Sequence, residues 1–428
     1  MTAPTAPHAS HTPHDPLATL LGGSPLLSVL SESKPEVLAH TREAYSALYA
    51  DAHPLPAPVL HALAAVVAAQ QGSAELYAHH RAAGADASLL DAALAGEDLP
   101  DPVLAAVFRH ADIVSVSPAL AEPEDQEHLM TAGIDPDLVV LLGQLVSFES
   151  YLIRLVAGAR ALADAYPGTA DAGTAESGAA ESGITEVGTA EASAAAPADA
   201  PESTRVPASR GRDGQRSDRT REGRLRPTAF TQKMLEWEPW VPAPAADELT
   251  EEQIASFAAK SGTGNVYFRL ISRTPGVTKA RSALDNEVFL SKAGLPKGER
   301  ELAAAVSSKV NDCVYCASVH ARKATQRTKR EEDVDRVLAV TLPRDTDWVA
   351  SSVEQLADGQ DERWTVLVET AARLAALRPE FTAADVARLR GIGLGDLEIA
   401  DLVASTAFFG WANRLMLTLG EPYWPEAE

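Results

Sequence analysis

Cysteine is almost absent from this chain: there are two in 428 residues, both inside ELAAAVSSKVNDCVYCASVH, residues 301–320. A disulfide framework is thereby excluded. A lone C-x-x-C in an otherwise thiol-free protein points instead to redox catalysis, redox sensing or metal binding. Long apolar runs are missing too. No segment reaches about eighteen uninterrupted apolar residues, so no membrane span is expected, and MTAPTAPHASHTPHDP has neither the basic start nor the apolar run of a signal peptide. A cytoplasmic protein is the expectation. Positive charge is scarce, with 37 Lys and Arg against 60 Asp and Glu and a net charge of −23, which argues against a nucleic-acid-binding body. No Gly-rich phosphate loop or dinucleotide fingerprint occurs, so no cofactor is expected. C-x2-C-x3-H offers three ligands with no further cysteine to complete a tetrahedral set, so no metal is expected either.

What remains is a chain rich in alanine, leucine and valine, with apolar residues at three- and four-residue spacing, the pattern of an all-α protein. Its length exceeds what one hydrophobic core usually organises, which predicts two domains. Residues 168–204 are low in complexity, and RVPASRGRDGQRSDRTREGRLR, Arg205 to Arg226, is arginine-rich and reads as a solvated linker. The expected organisation is a disordered tail over 1–19, which includes His8, His11 and His14, a helical domain over 20–165, a linker over 166–227 and a second helical domain over 228–428. Phe230, Trp237 and Trp240, spaced by prolines, read as an arm packing across a neighbouring domain or subunit.

The two domains resemble one another. At an offset of 240, Leu55, Pro56, Ala64, Ala65, Val66 and His80 match Leu295, Pro296, Ala304, Ala305, Val306 and His320; at 260, Leu142, Phe148, Arg154 and Leu155 match Leu402, Phe408, Arg414 and Leu415, and Tyr151 meets Trp411. Ser73 and Leu76 stand where the second copy has Cys313 and Cys316, and His61 stands at Glu301. The first copy therefore carries the framework without the thiols.

A helix over Glu299–Val310, interrupted at Asn311-Asp312, predicts a second helix starting near Cys313, with either interrupting residue as N-cap. Both sulfurs then lie at a first helical turn, where free backbone amides favour a thiolate. Cys313, Cys316 and His320 share one helix face, and Glu301 on the preceding helix can orient the imidazole or a water.

The pattern E-x11-C-x2-C-x3-H, carried by Glu301, Cys313, Cys316 and His320 within CVYCASVHARKA, resembles the alkylhydroperoxidase D and carboxymuconolactone decarboxylase superfamily, in particular its peroxidase-related members. The resemblance extends through ETAARLAALRPEFTAADVARLRGIG and ADLVASTAFFGWANRL to most of residues 228–428, and more weakly to the first domain, which is similar to the cysteine-free members. It implies two tandem alkylhydroperoxidase-D-like domains, a peroxidatic Cys316, a resolving and more exposed Cys313, and a Glu301/His320 proton relay. It also implies a peroxide substrate, an external dithiol reductant of the lipoyl type, and a homo-oligomer, a trimer with six quasi-equivalent domains. Tyr315 stands where alkylhydroperoxidase D proper often has a second histidine; a phenol is a poor base at neutral pH. Two other functions are compatible with the sequence: thiol-disulfide exchange or redox sensing at the same pair, and lactone decarboxylase-type chemistry in the first domain, where His61, Glu75, His79 and His80 are the available acids and bases.

Overall fold

A computed structural model of the chain describes residues 15–50, 52–166, 200–214 and 217–425. The histidines at 8, 11 and 14 lie outside the described residues, as do 167–199. The fold is all-α, with one small antiparallel sheet among the described residues. In the first half the elements that matter here are α1 (Pro25–Ser33), α2 (Pro35–Tyr49), α3 (Ala57–Gln70), α4 (Ala74–Ala82) and α5 (Pro136–Asp164). In the second half they are β1 (Glu236–Pro239), α6 (Val266–Ile271), α7 (Pro275–Leu290), α8 (Lys297–Val310), α9 (Val314–Thr328), α10 (Asp396–Thr418) and β2 (Gly420–Tyr423).

The repeat is structural. Helices starting at 35, 57, 74 and 136 recur at 275, 297, 314 and 396, keeping the offsets of 240 and 260 read from sequence. Even the turn before the site recurs: Gly72 and Asp312, at equivalent positions, both have positive φ, 76° and 61°. Glycine adopts that conformation freely, and Asp is among the few side chains that tolerate it.

The halves are interlocked rather than separated. α5 packs along α10 and α2 along α7, and one continuous apolar core runs through both halves. One pair of contacts across the seam is reciprocal. Arg154 on α5 donates to the Ala375 carbonyl of the second half at 3.1 Å, and its counterpart Arg414 on α10 donates to the Ser115 carbonyl of the first half at 3.0 Å; 115 and 375 are themselves equivalent at offset 260. Such a pairing has the logic of a two-fold interface, in which one patch meets its own copy. Both guanidiniums are fully buried, and burial lowers the pKa of Arg154 to about 9. Other contacts are not symmetric, among them Asp401 on α10, which receives Lys34 from the first half and Arg300 from α8.

Two expectations about chain ends and linkers are corrected. Residues 15–19, placed in the disordered tail, belong to a helix over Pro16–Leu20 capped by Asp15, because Leu17 is wholly buried in the core and Asp15 is paired with Arg42 at 2.7 Å. Residues 200–214 and 217–227, placed in the linker, lie against the folded body. Arg205 pairs with Asp112 at 2.8 Å, Arg212 with Asp125 at 2.6 Å, and Arg226 with Glu421. All three acids are buried. Composition marks these arginines as solvating, but a buried carboxylate needs a cation, and this stretch supplies one to each.

Of the aromatic arm, Trp240 packs against Ile113 and Ala121 of the first half, whereas Trp237 and Phe230 pack within their own domain. β1 pairs with β2, Trp237 Nε1 donates to the Met416 carbonyl at 3.1 Å, and Trp240 Nε1 donates to Glu421 at 3.1 Å. α5 is long and apolar enough to cross a membrane by length and composition, and is buried along its apolar window inside the fold.

Candidate active site

α8 ends at Val310, and the chain reverses through Asn311 and Asp312, with the Cys313 N–H donating back to the Ser308 carbonyl at 2.8 Å. The left-handed Asp312 is held by its own side chain, whose Oδ2 accepts from Trp348 Nε1 at 2.7 Å. α9 then starts at Val314. Its N-cap is Cys313, not Asn311 or Asp312, because the turn consumes both residues in reversing the chain. Cys316 sits in the first turn of α9 and His320 one turn later, as the spacing predicts.

Glu301 reaches across from α8, and its Oε2 meets His320 Nδ1 at 2.6 Å while its Oε1 faces Arg327 at 3.3 Å. Burial alone would raise the Glu301 carboxyl, but the hydrogen bond to His320 and the charges of His320, Lys323 and Arg327 outweigh it and hold it below its ordinary value. His320 is lowered, by burial first and against the pull of Glu301. The state consistent with both is an ionised Glu301 accepting Nδ1–H from a neutral His320, which leaves Nε2 as a proton acceptor. Rings close the imidazole in: Phe409 lies edge-on at 4.4 Å and Phe289 at 5.6 Å.

Both thiols are free and buried. Cys313, expected as the more exposed, is 1% exposed against 6% for Cys316, because the cleft it lines is walled over by residues 226–230, Tyr315, Trp348, Met416 and Leu417. The expectation that the helix terminus favours thiolate also fails at Cys313. Burial, then the hydrogen bond and charge shared with Cys316, raise it well above the usual thiol range, so this sulfur keeps its proton. The cleft has a volume of about 480 Å³. Phe230 from the arm divides it from a second groove and stacks on Lys309 at 3.8 Å. Tyr315 lines the cleft, its hydroxyl pushed up to about 12 by burial, and is no base at neutral pH.

Among the described residues no group of His, Cys, Asp and Glu is placed to hold a metal ion. Around the relay, sequence reading missed Arg327, which faces Glu301. Arg327 was within reach, seven residues beyond His320 on the same helix.

In the first half the structure joins His61, His79 and His80, but leaves Glu75 at the rim with Arg160 at 3.5 Å. His61 Nδ1 meets His80 Nδ1 at 3.0 Å, His80 Nε2 meets Glu149 at 3.0 Å, and the Tyr49 hydroxyl donates to Glu149 at 2.6 Å. Tyr45 meets His79 at 2.8 Å. Relative to the second half the carboxylate has moved: His61 occupies the Glu301 position, and Glu149 the Phe409 position. His61 is lowered to about 4, by burial and then the neighbouring His80, and buried His110 to about 4, by burial; neither His110 nitrogen has a hydrogen-bond partner among the described residues.

These two histidines set an acid limit. An unfolded imidazole binds its proton near pH 6.5, whereas the folded ones wait until about pH 4. The unfolded chain therefore binds more protons across that window, and stability falls as pH drops from 6.5 to 4, by about 3 kcal/mol for each histidine. Thermal midpoints measured from pH 7.5 to 4 should decline over this range and decline less in His110→Leu. A flat profile in the wild-type protein would show that the imidazoles are not held neutral.

With this geometry established, the comparison with known proteins is decisive for one region. The sequence pattern of the carboxymuconolactone decarboxylase family matches residues 275–357, which span α7, α8 and α9. This segment belongs to that family. Within the family domain lie Glu301, both thiols and His320, and the superfamily expected from E-x11-C-x2-C-x3-H is the one found. A search of curated proteins finds no match to the chain. Among solved structures the chain is similar to an alkylhydroperoxidase AhpD core, an uncharacterized peroxidase-related protein from Ralstonia eutropha JMP134. The two are 26% identical over 40% of this chain and 85% of that one, with a TM-score of 0.30. It is also similar to an uncharacterized peroxidase-related protein from Silicibacter sp. TM1040, at 25% identity over 42% of this chain and 91% of that one, with a TM-score of 0.33.

Proposed function

We propose that the carboxymuconolactone decarboxylase-family domain of this chain is a thiol-dependent peroxidase that reduces alkyl or hydrogen peroxides. The observation that carries the reading is Glu301 of α8 bonded at 2.6 Å to His320, which shares one face of α9 with Cys316. His320 Nε2 takes the Cys316 proton. The thiolate attacks the outer oxygen of the peroxide, an S–O bond forms as the O–O bond breaks, and the leaving alkoxide takes the proton back as alcohol. Cys316 is then a sulfenic acid. Cys313, the sulfur that keeps its proton, attacks it; the S–S bond forms and water leaves with that proton. An external dithiol, of which a lipoyl-type arm is one chemical form, reaches Cys313 through the cleft and restores both thiols by exchange.

Glu301→Gln tests the relay. The amide preserves shape but removes the charge that orients and supports His320, so the rate of reaction with cumene hydroperoxide is expected to fall roughly 100-fold. An unchanged rate in a folded variant would remove the relay from the reaction.

A further inference from the structure

We propose that Tyr267 on α6 and Arg281 on α7 form the peroxide-holding subsite of the thiol centre, Tyr267 donating its hydroxyl proton in a hydrogen bond to the departing oxygen and Arg281 facing the charge that builds there. The inference rests on the peroxidase reading and adds to it two residues and their roles.

Two polar groups of the second half, Tyr267 and Arg281, stand together with bonding capacity unused. Tyr267 is 7% exposed and its hydroxyl makes no hydrogen bond to any described residue. Arg281 is 4% exposed, and its Nε has no acceptor among the described residues. Asp285 lies one turn further along α7, yet beyond ion-pair distance of Arg281, while exerting its charge on the same tyrosine. The guanidinium lies instead against rings, 5.7 Å from Tyr267, 5.0 Å from Phe408 and 5.9 Å from Trp411. Trp237 fixes the Tyr267 ring edge-on at 5.5 Å. A run of rings joins this cluster to the relay: Arg281 lies 5.0 Å from Phe408, Phe408 6.0 Å from Phe409, and Phe409 4.4 Å from His320.

A buried hydroxyl and a guanidinium nitrogen left without acceptors cost stability, and a bound ligand is one way such groups are satisfied. The internal repeat supplies the control. At the equivalent positions of the thiol-free half, Tyr267 is replaced by Leu27, which needs no partner. Arg281 is replaced by Thr41, which donates to the Val37 carbonyl at 2.7 Å and meets the Tyr151 hydroxyl at 2.9 Å. Asp285 is replaced by Tyr45, bonded to His79. The same framework satisfies or removes these groups where there is no thiol, and leaves the Tyr267 hydroxyl and the Arg281 Nε open where there is one. Burial also raises the Tyr267 hydroxyl well above its ordinary value, so it is always a donor. A hydroperoxide offers two oxygens, and the one that leaves carries the developing negative charge. Donors fixed in advance around that position stabilise the transition state without reorganising.

The test compares Tyr267→Phe and Arg281→Met with the wild-type full-length chain. Three quantities are read in each: the stopped-flow rate with cumene hydroperoxide, the rate of alkylation of Cys316 by iodoacetamide in a Cys313→Ser background, and the thermal midpoint. For Tyr267→Phe the peroxide rate is expected to fall roughly 100-fold while alkylation stays within about twofold. Its thermal midpoint should hold or rise, since an unsatisfied hydroxyl has gone. Arg281→Met should also slow the peroxide step. Unchanged peroxide rates in both variants would overturn the proposal, as would a parallel fall in peroxide and alkylation rates or a lowered midpoint in Tyr267→Phe, which would mark a structural role. A wild-type protein that reacts with iodoacetamide but not with hydroperoxide would instead remove the peroxidase reading itself, and the subsite with it.

Discussion

Cys316→Ser is expected to abolish peroxide consumption, a fall of roughly 10³-fold or more, because the other sulfur of the site, Cys313, keeps its proton and the thiolate is the form that attacks peroxide. Cys313→Ser should behave differently. The first chemical step survives, so the variant consumes about one equivalent of peroxide and stops at the sulfenic acid, which a dimedone-type trap reports by mass. With excess small thiol it should turn over, since an external thiolate replaces the resolving sulfur. The asymmetry follows from placement: Cys316 lies one turn from His320, whereas Cys313 is the N-cap, keeps its proton and faces the cleft. Equal and complete loss in both variants, with disulfide exchange in the wild-type protein but no peroxide turnover, would favour an exchange or sensing protein.

Asp401→Ala is expected to cost about 3–5 kcal/mol of stability, because it strands two buried cations. Lys34 and Arg300 both point at this carboxylate, and the side chains of all three are at most 3% exposed. Burial raises Asp401 and lowers Lys34 against the pull of their own pairing, so at this joint the loss of hydration outweighs the attraction between the charges. Removing the acid leaves the two cations with that loss and no attraction to offset it, and the Leu295 N–H also loses its acceptor at 2.9 Å. The joint ties α10 to the first half, so urea unfolding should remain a single transition with a lower midpoint. Replacing both Lys34 and Asp401 with apolar residues of similar size should recover much of the loss. A loss below about 1 kcal/mol in Asp401→Ala would mean that the interlock of the halves rests on apolar packing alone.

The thiol centre was legible in sequence because its chemistry is local. Cys316 and His320 are four residues apart on one helix, and Glu301 is fixed by the short reversal between α8 and α9. The repeat was legible because buried faces must keep their spacing: Arg154 and Arg414 mark equivalent places, and the structure explains them as reciprocal donors across the seam. What escaped was set by distant packing. Glu149 reads as one acid in an apolar helix and acquires meaning only when α5 brings it to His80 from α4 and Tyr49 from α2. Arg205, Arg212 and Arg226 read as solvating charge until their carboxylates are seen to be buried. Tyr267 carried no signal at all, since an unpartnered hydroxyl is a property of the folded surroundings and not of the residue.

The central claim is that Cys313 and Cys316 are a peroxidatic pair. Fully reduced protein should be mixed with one equivalent of cumene hydroperoxide in a stopped-flow instrument, with free thiols counted before and after. The account predicts loss of both thiols in each chain together with one equivalent of the alcohol. Survival of both thiols, with the hydroperoxide intact, would contradict it.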